Sequence, residues 1–152
     1  MTIVYQLRED KQNIEAVQRA TQTTRKFGIM RTDGLFGSEQ WWHNIETGKL
    51  PIHKITGAIV QIYMGGMRDT PEFVLRSDTG EESTWLRQAN SKELNNVYAI
   101  GCLVEIDYVL QRHRLLSDLG PLKRHKIVIE IRLGMGEASK GTVNLASSGT
   151  GK

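Results

Sequence analysis

Two stretches of this chain alternate apolar and polar residues with a period of two, and this alternation constrains the fold more than any other feature. The first, "YAIGCLVEIDYVLQR", has large apolar residues at every second position, namely Val104, Ile106, Tyr108 and Leu110. The second, "HKIVIEIRL", does the same at Ile127, Ile129, Ile131 and Leu133. Successive side chains of a strand point to opposite faces, so each stretch predicts a strand with one buried face. The chain is therefore expected to be mainly β.

Three more strands are predicted upstream of these two. "HKITGAIVQIYMGG" predicts a long strand that bends at Gly57, because an interior glycine often marks a bulge. "PEFVLRS" and "ESTWLRQ" flank the turn-forming tetrapeptide "DTGE", in which Gly80 suits a positive φ. The two flanking stretches are therefore expected to pair as a hairpin.

Helical signals come mainly before the strands. From Arg8 to Gly28, acidic residues come first, basic residues come last and a glycine follows, as the helix dipole favours. In "SEQWWHN", Ser38 is a good N-cap for a second, shorter helix. Trp41 is expected to cover one end of the β domain, whereas Trp42 and His43 are the candidate contacts for a partner.

The predicted elements divide the chain into four segments. An N-terminal helix takes residues 1–28, a linker with the short helix takes 29–53, a β-barrel takes 54–133, and a disordered tail takes 134–152. The tail is rich in Gly, Ser and Thr and has few large apolar groups to bury.

The strand pattern resembles the OB-fold between Lys54 and Leu133. The features that carry the resemblance are the bend at Gly57, the "DTGE" hairpin, the connection "NSKELNN" and the strand entry "IGCLVEIDY". In this connection, Ser91 is expected to cap a single helical turn. The resemblance implies a small five-stranded barrel, and an SH3-like barrel is the alternative.

Composition limits the cellular setting. With 152 residues the chain has the size of one domain, and its single cysteine, Cys102, rules out an intrachain disulfide. A reducing, cytoplasmic location is expected. No stretch approaches the ~20 apolar residues of a membrane span, so no membrane partner is expected.

Single-stranded DNA or RNA is the partner that the OB-fold resemblance implies, bound without enzymatic activity. If Thr84 and Leu86 point inward, Trp85 is exposed between arginines and suits base stacking, whereas the opposite parity buries Trp85. "QRHRLLSDLGPLKRHK" adds a basic loop with a net positive charge. The expected nucleic-acid contacts are Trp85, Arg76, Arg87, Tyr63, Arg68, Arg112, Arg114, Lys123, Arg124 and Lys126.

The alternative function is protein interaction, in which the N-terminal helices dock onto another protein or a second copy of the chain. The apolar stripe of the first helix is too thin for a buried helix and favours a surface contact. An enzyme is the third choice, because the sequence brings no nucleophile, base and orienting group together. No catalytic residue, metal ligand or cofactor is predicted.

Overall fold

The structure is a computed structural model in which residues 1–23, 34–65, 70–111 and 125–135 are described. The strands are β1 (Thr2–Gln6), β2 (His53–Gly65), β3 (Thr70–Arg76), β4 (Glu82–Leu86), β5 (Leu103–Gln111) and β6 (His125–Gly134). The helices are α1 (Lys11–Thr23), α2 (Glu39–Glu46) and α3 (Lys92–Asn95), and a 3-10 turn at Leu7–Glu9 precedes α1.

The described strands form one six-stranded sheet in the order β1-β6-β5-β2-β3-β4. The prediction of a mainly β fold is confirmed. The sheet is open, so the closed barrel of five strands is not confirmed. The structure has one strand more than the five predicted. The additional strand is β1, which lies in the segment expected to be helical. Its sequence "TIVYQ" contains β-branched residues, and Val4 and Tyr5 are buried.

The first long helix begins later than predicted. The backbone N–H of Asn13 donates to the Asp10 carboxylate at 3.3 Å, so Asp10 lies before the helix as a cap rather than inside its first turn. Helix α1 starts at Lys11 and is described to Thr23, and the expected basic end of this helix, at Arg25 and Lys26, lies outside the described residues.

The predicted hairpin is confirmed. Strands β3 and β4 pair antiparallel, and Gly80 in the turn between them has a φ of 91°. Strand β2 pairs antiparallel with β3, and its register shifts between Ile59 and Gln61. This bulge reverses the parity of β2, so that Ile59 lies opposite Leu75 and Ile62 opposite Phe73.

The chain divides into two compact units. One contains Met1–Tyr5, Ile55–Ile106 and the described residues from Glu130 onward, and the other contains the described residues of Gln6–Lys54 and Asp107–Ile129. Fully buried side chains of the first unit include Ile59, Phe73, Leu75, Val104, Ile106, Ile131 and Leu133, and those of the second include Leu7, Trp41 and Val109.

The predicted parity of β5 holds only in part. Val104 and Ile106 are buried as expected, but from Asp107 on the buried residues are Val109 and Gln111 rather than Tyr108 and Leu110. A buried glutamine near the end of a strand needs a hydrogen-bond partner. Gln111 has one in Trp41, described below.

Candidate functional site

Trp85 does not form an exposed stacking platform. It lies directly opposite Phe73 on the neighbouring strand, and only 5% of its surface is exposed. Its indole Nε1 donates to Ser83 Oγ at 2.8 Å. The flanking residues Thr84 and Leu86 are exposed instead. The parity that would have placed Trp85 in solvent is therefore wrong.

The described arginines of the predicted nucleic-acid face already have partners. Arg76 is exposed and binds the Glu82 carboxylate at 2.5 Å. Arg87 lies against β2, where its guanidinium is 3.5 Å from the Tyr63 carbonyl oxygen and 3.4 Å from Met64 Sδ. Arg87 and Tyr63 do come together, but through the tyrosine backbone rather than through its ring.

Lys126, the one described cation of the basic loop region, lies beside an aromatic pair. Its Nζ is 5.7 Å from the centroid of the Tyr108 ring, and His53 stacks on Tyr108 with the ring centroids 5.4 Å apart. The next residue along β2, Lys54, has its Nζ 3.8 Å from Asp107 Oδ1. The other predicted cations, Arg68, Arg112, Arg114, Lys123 and Arg124, lie outside the described residues.

Helix α2 begins as the sequence predicts. Ser38 Oγ accepts a hydrogen bond from the backbone N–H of Trp41 at 3.2 Å, which satisfies one of the otherwise unpaired amides of the first turn. Trp41 is fully buried and contacts Phe36 edge to face, with the ring centroids 4.8 Å apart. Its Nε1 donates to Gln111 Oε1 at 3.0 Å. The expectation that Trp41 is buried is confirmed.

Trp42 is less accessible than predicted. Only 8% of its surface is exposed, and the Arg8 guanidinium lies 4.0 Å from the centroid of the indole ring. The same guanidinium binds the Glu46 carboxylate at 2.9 Å. Arg8 therefore covers Trp42 and is held in place from its other side by Glu46, one helical turn along α2.

The outer side of α2 forms a shallow groove of about 710 Å³, which we call the α2 groove. Its lining residues are Arg8, Glu39, Gln40, Trp42, His43 and Glu46. His43 is exposed, as predicted for a partner contact. The residues that sequence reasoning missed are Arg8 and Glu46. They are 38 positions apart, and no local spacing in the sequence links them.

The outer side of the sheet in the first unit carries a second ionic group. Arg132 binds Glu105 at 2.9 Å and Glu130 at 2.5 Å. A hollow of about 520 Å³ lies nearby, with Gly57, Ala58, Leu103 and Glu105 among its lining residues. Glu105 is thus bound by an arginine.

The described residues offer little catalytic chemistry. Among them, no three His, Cys, Asp or Glu side chains lie close enough together to hold a metal ion. The Cys102 thiol is buried and lies 3.7 Å from the Val97 carbonyl oxygen. Burial raises the pKa of the Tyr98 phenol, which donates to the Gln88 carbonyl oxygen at 2.6 Å. None of the described helices is both long and apolar enough to cross a membrane.

Comparison with known proteins decides between the two predicted functions. A family model described as "Immunity protein RhsI2" matches residues 1–134. No curated protein matches the chain. An immunity protein acts by binding another protein, so the prediction of nucleic-acid binding is wrong and the alternative, protein interaction, is favoured. Since the match spans most of its length, this chain belongs to the immunity protein RhsI2 family.

Proposed function

We propose that this chain binds the toxin domain of an Rhs protein and thereby neutralises it. The observation that carries the proposal is the family match over residues 1–134, which includes nearly every described residue. A binding role needs a stable scaffold with a specific surface and does not need catalytic groups.

The α2 groove is the proposed contact surface of the second unit. Arg8 is held between the Trp42 ring and the Glu46 carboxylate, so its side chain is already ordered before a partner arrives. Ordering a long side chain on binding costs about 0.5 to 1.5 kcal/mol, and a side chain held in advance avoids most of that cost. Preorganised arginine and aromatic groups are also enriched among residues that dominate binding energy.

His43 and Glu39 supply the exposed polar groups of this surface. Both lie on α2 and line the groove, and neither is buried. Trp42 has a supporting role in this proposal: it lies beneath Arg8 rather than in direct contact with the partner.

The test is co-expression with the toxin domain of an Rhs protein from the same genome. Cells that express the toxin domain alone should stop growing, and cells that also express this chain should grow. The two proteins should also co-purify as a complex with a dissociation constant in the nanomolar range or below.

An immunity protein of a different family is the matched control, and it should neither rescue growth nor co-purify. Failure of this chain to bind or to protect against any Rhs toxin domain of its own genome would contradict the proposal. Self-association without toxin binding, detected by sedimentation, would favour an assembly role instead.

A cytoplasmic location is part of the proposal, and fractionation of the cells tests it.

A further inference from the structure

Strand β4 is an edge strand. It is the last strand in the order β1-β6-β5-β2-β3-β4, and it pairs with β3 on one side only. In the part of the chain that the structure describes, no strand lies on its other side. Edge strands present backbone N–H and C=O groups that another chain can bind.

The hydrogen bonds around the hairpin show which backbone groups of β4 point away from β3. Ser77 N–H donates to the Glu81 carbonyl at 2.8 Å, and Arg87 N–H donates to the Pro71 carbonyl at 3.0 Å. These two hydrogen-bonded pairs lie on either side of the pair formed by Phe73 and Trp85. Hydrogen-bonded pairs alternate with non-hydrogen-bonded pairs in an antiparallel ladder.

It follows that Ser83 and Trp85 direct their backbone groups toward β3, whereas Glu82, Thr84 and Leu86 direct theirs outward. The Leu86 carbonyl accepts from Gln88 N–H at 3.0 Å. The N–H groups of Thr84 and Leu86 and the carbonyl of Thr84 point toward the side on which no described strand lies. Their spacing of two residues matches the repeat of an extended partner strand.

Side chains along this edge add a preference for charge and shape. Leu86 is 44% exposed and forms an apolar position at one end of the strand. At the other end lie the exposed carboxylates of Asp78, Glu81 and Glu82, of which Glu82 binds Arg76. The edge therefore complements an extended segment that carries an apolar residue near Leu86 and a lysine or arginine near Glu81.

We propose that an extended segment of the toxin domain pairs with β4 and continues the sheet by one strand. This inference rests on the proposed function, since it names a second contact surface for the toxin, which lies in the first unit. Backbone hydrogen bonds supply affinity in this mode, and the alternating side chains supply specificity. A second copy of this chain is the less suitable occupant, because antiparallel pairing of β4 with itself would set the apolar Leu86 of one copy against the Glu82 carboxylate of the other.

The first experiment compares Thr84→Pro with Thr84→Val in binding to the purified toxin domain. Proline removes the outward N–H and leaves the bonds to β3 intact, since those come from Ser83 and Trp85. Thr84→Pro should weaken binding at least about tenfold, the factor that corresponds to one lost hydrogen bond together with the clash of the ring. Thr84→Val keeps the N–H and should bind within about threefold of the wild type.

The second experiment uses the unaltered protein, so that it does not depend on how Thr84→Pro folds. Amide hydrogen exchange is measured residue by residue in the free chain and in the complex. The amides of Thr84 and Leu86 should exchange rapidly in the free chain and at least about a hundredfold more slowly in the complex. Those of Ser83 and Trp85 should already be slow without the toxin.

The outcomes separate this inference from the proposed function. If the wild type binds the toxin but the Thr84 and Leu86 amides exchange as fast as before, the strand-pairing proposal is overturned and the toxin-binding function stands. If the wild type binds no toxin domain, the proposed function itself fails. Sedimentation as a dimer that Thr84→Pro abolishes would assign the edge to a second copy of the chain and would likewise overturn the proposal.

Discussion

Phe73 and Trp85 lie directly opposite each other on β3 and β4, and both are buried. Residues that lie directly opposite each other on neighbouring strands place their side chains on the same face of the sheet. Because Phe73 faces the core, Trp85 must face it too. This one pairing removes the aromatic platform on which the nucleic-acid prediction depended.

Trp85→Ala should therefore act on folding. Loss of a large buried aromatic side chain is expected to lower the free energy of unfolding by about 3 to 5 kcal/mol. Urea denaturation followed by circular dichroism measures the change. The neighbouring exposed residue provides the control: Leu86→Ala should cost about 1 kcal/mol or less. Equal effects at the two positions would contradict the inward placement of Trp85.

Arg8→Ala should uncover Trp42. The substitution removes both the cation over the ring and the ion pair with Glu46, which together contribute about 0.5 to 1.5 kcal/mol at an exposed site. The tryptophan emission should shift to longer wavelength as water reaches the ring. Lys11→Ala, an equal change in charge at an exposed position of α1, should leave the emission unchanged.

Gln111→Leu should leave the buried indole N–H of Trp41 without a hydrogen-bond acceptor. The Trp41 indole N–H would lose its acceptor, and the free energy of unfolding should fall by about 1 to 3 kcal/mol. Adding Trp41→Phe removes that donor, so the double variant should be more stable than the sum of the two single changes predicts. A double-mutant cycle in guanidinium measures the coupling, and strictly additive changes would contradict the bond.

Alkaline pH should destabilise the fold through Tyr98. Burial raises the pKa of its phenol above the usual value near 10, so the folded state resists ionisation and the unfolded state does not. The stability that this provides is fully present below pH 10 and is lost as the pH rises further, by at most about 1.4 kcal/mol per pH unit. Unfolding of Tyr98→Phe should show a smaller decline between pH 8 and pH 11 than the wild type does.

His43→Ala should weaken toxin binding without loss of stability. An exposed histidine on the proposed contact surface is expected to contribute about fivefold or more to affinity. His53→Ala is the matched control, since His53 is an exposed histidine of the same unit that lies outside the α2 groove. Calorimetric titration with the toxin domain measures both. If His43→Ala bound the toxin domain as tightly as His53→Ala does, the α2 groove would not be part of the interface.

Local sequence patterns predicted the local structure well. Ser38 and Ser91 accept the hydrogen bonds of N-caps, and Gly80 has the positive φ expected of its turn. Each cap and turn depends on residues within a few positions along the chain, so the local sequence determines it. The alternation of β3 left its inward side open, and the structure places Phe73 and Leu75 there.

Features that depend on distant residues were not predictable. Arg8 covers Trp42, and the buried Gln111 accepts a hydrogen bond from Trp41. The bulge after Ile59 reverses the parity of β2, and the parity of β4 follows from its pairing with β3. The N-terminal residues of β1 form a strand because they join the sheet, which "TIVYQ" alone does not reveal.

The hydrogen bond between Trp41 and Gln111 also sets an order of events during synthesis. The two residues are 70 positions apart, so Trp41 leaves the ribosome roughly 4 to 14 s before Gln111 at ordinary translation rates. Helix α2 has only eight residues, too few to be stable in isolation. The Trp41 indole N–H therefore gains its Gln111 acceptor only after β5 has been translated, and a nascent chain that stops short of Gln111 lacks the buried hydrogen bond that holds α2 to β5.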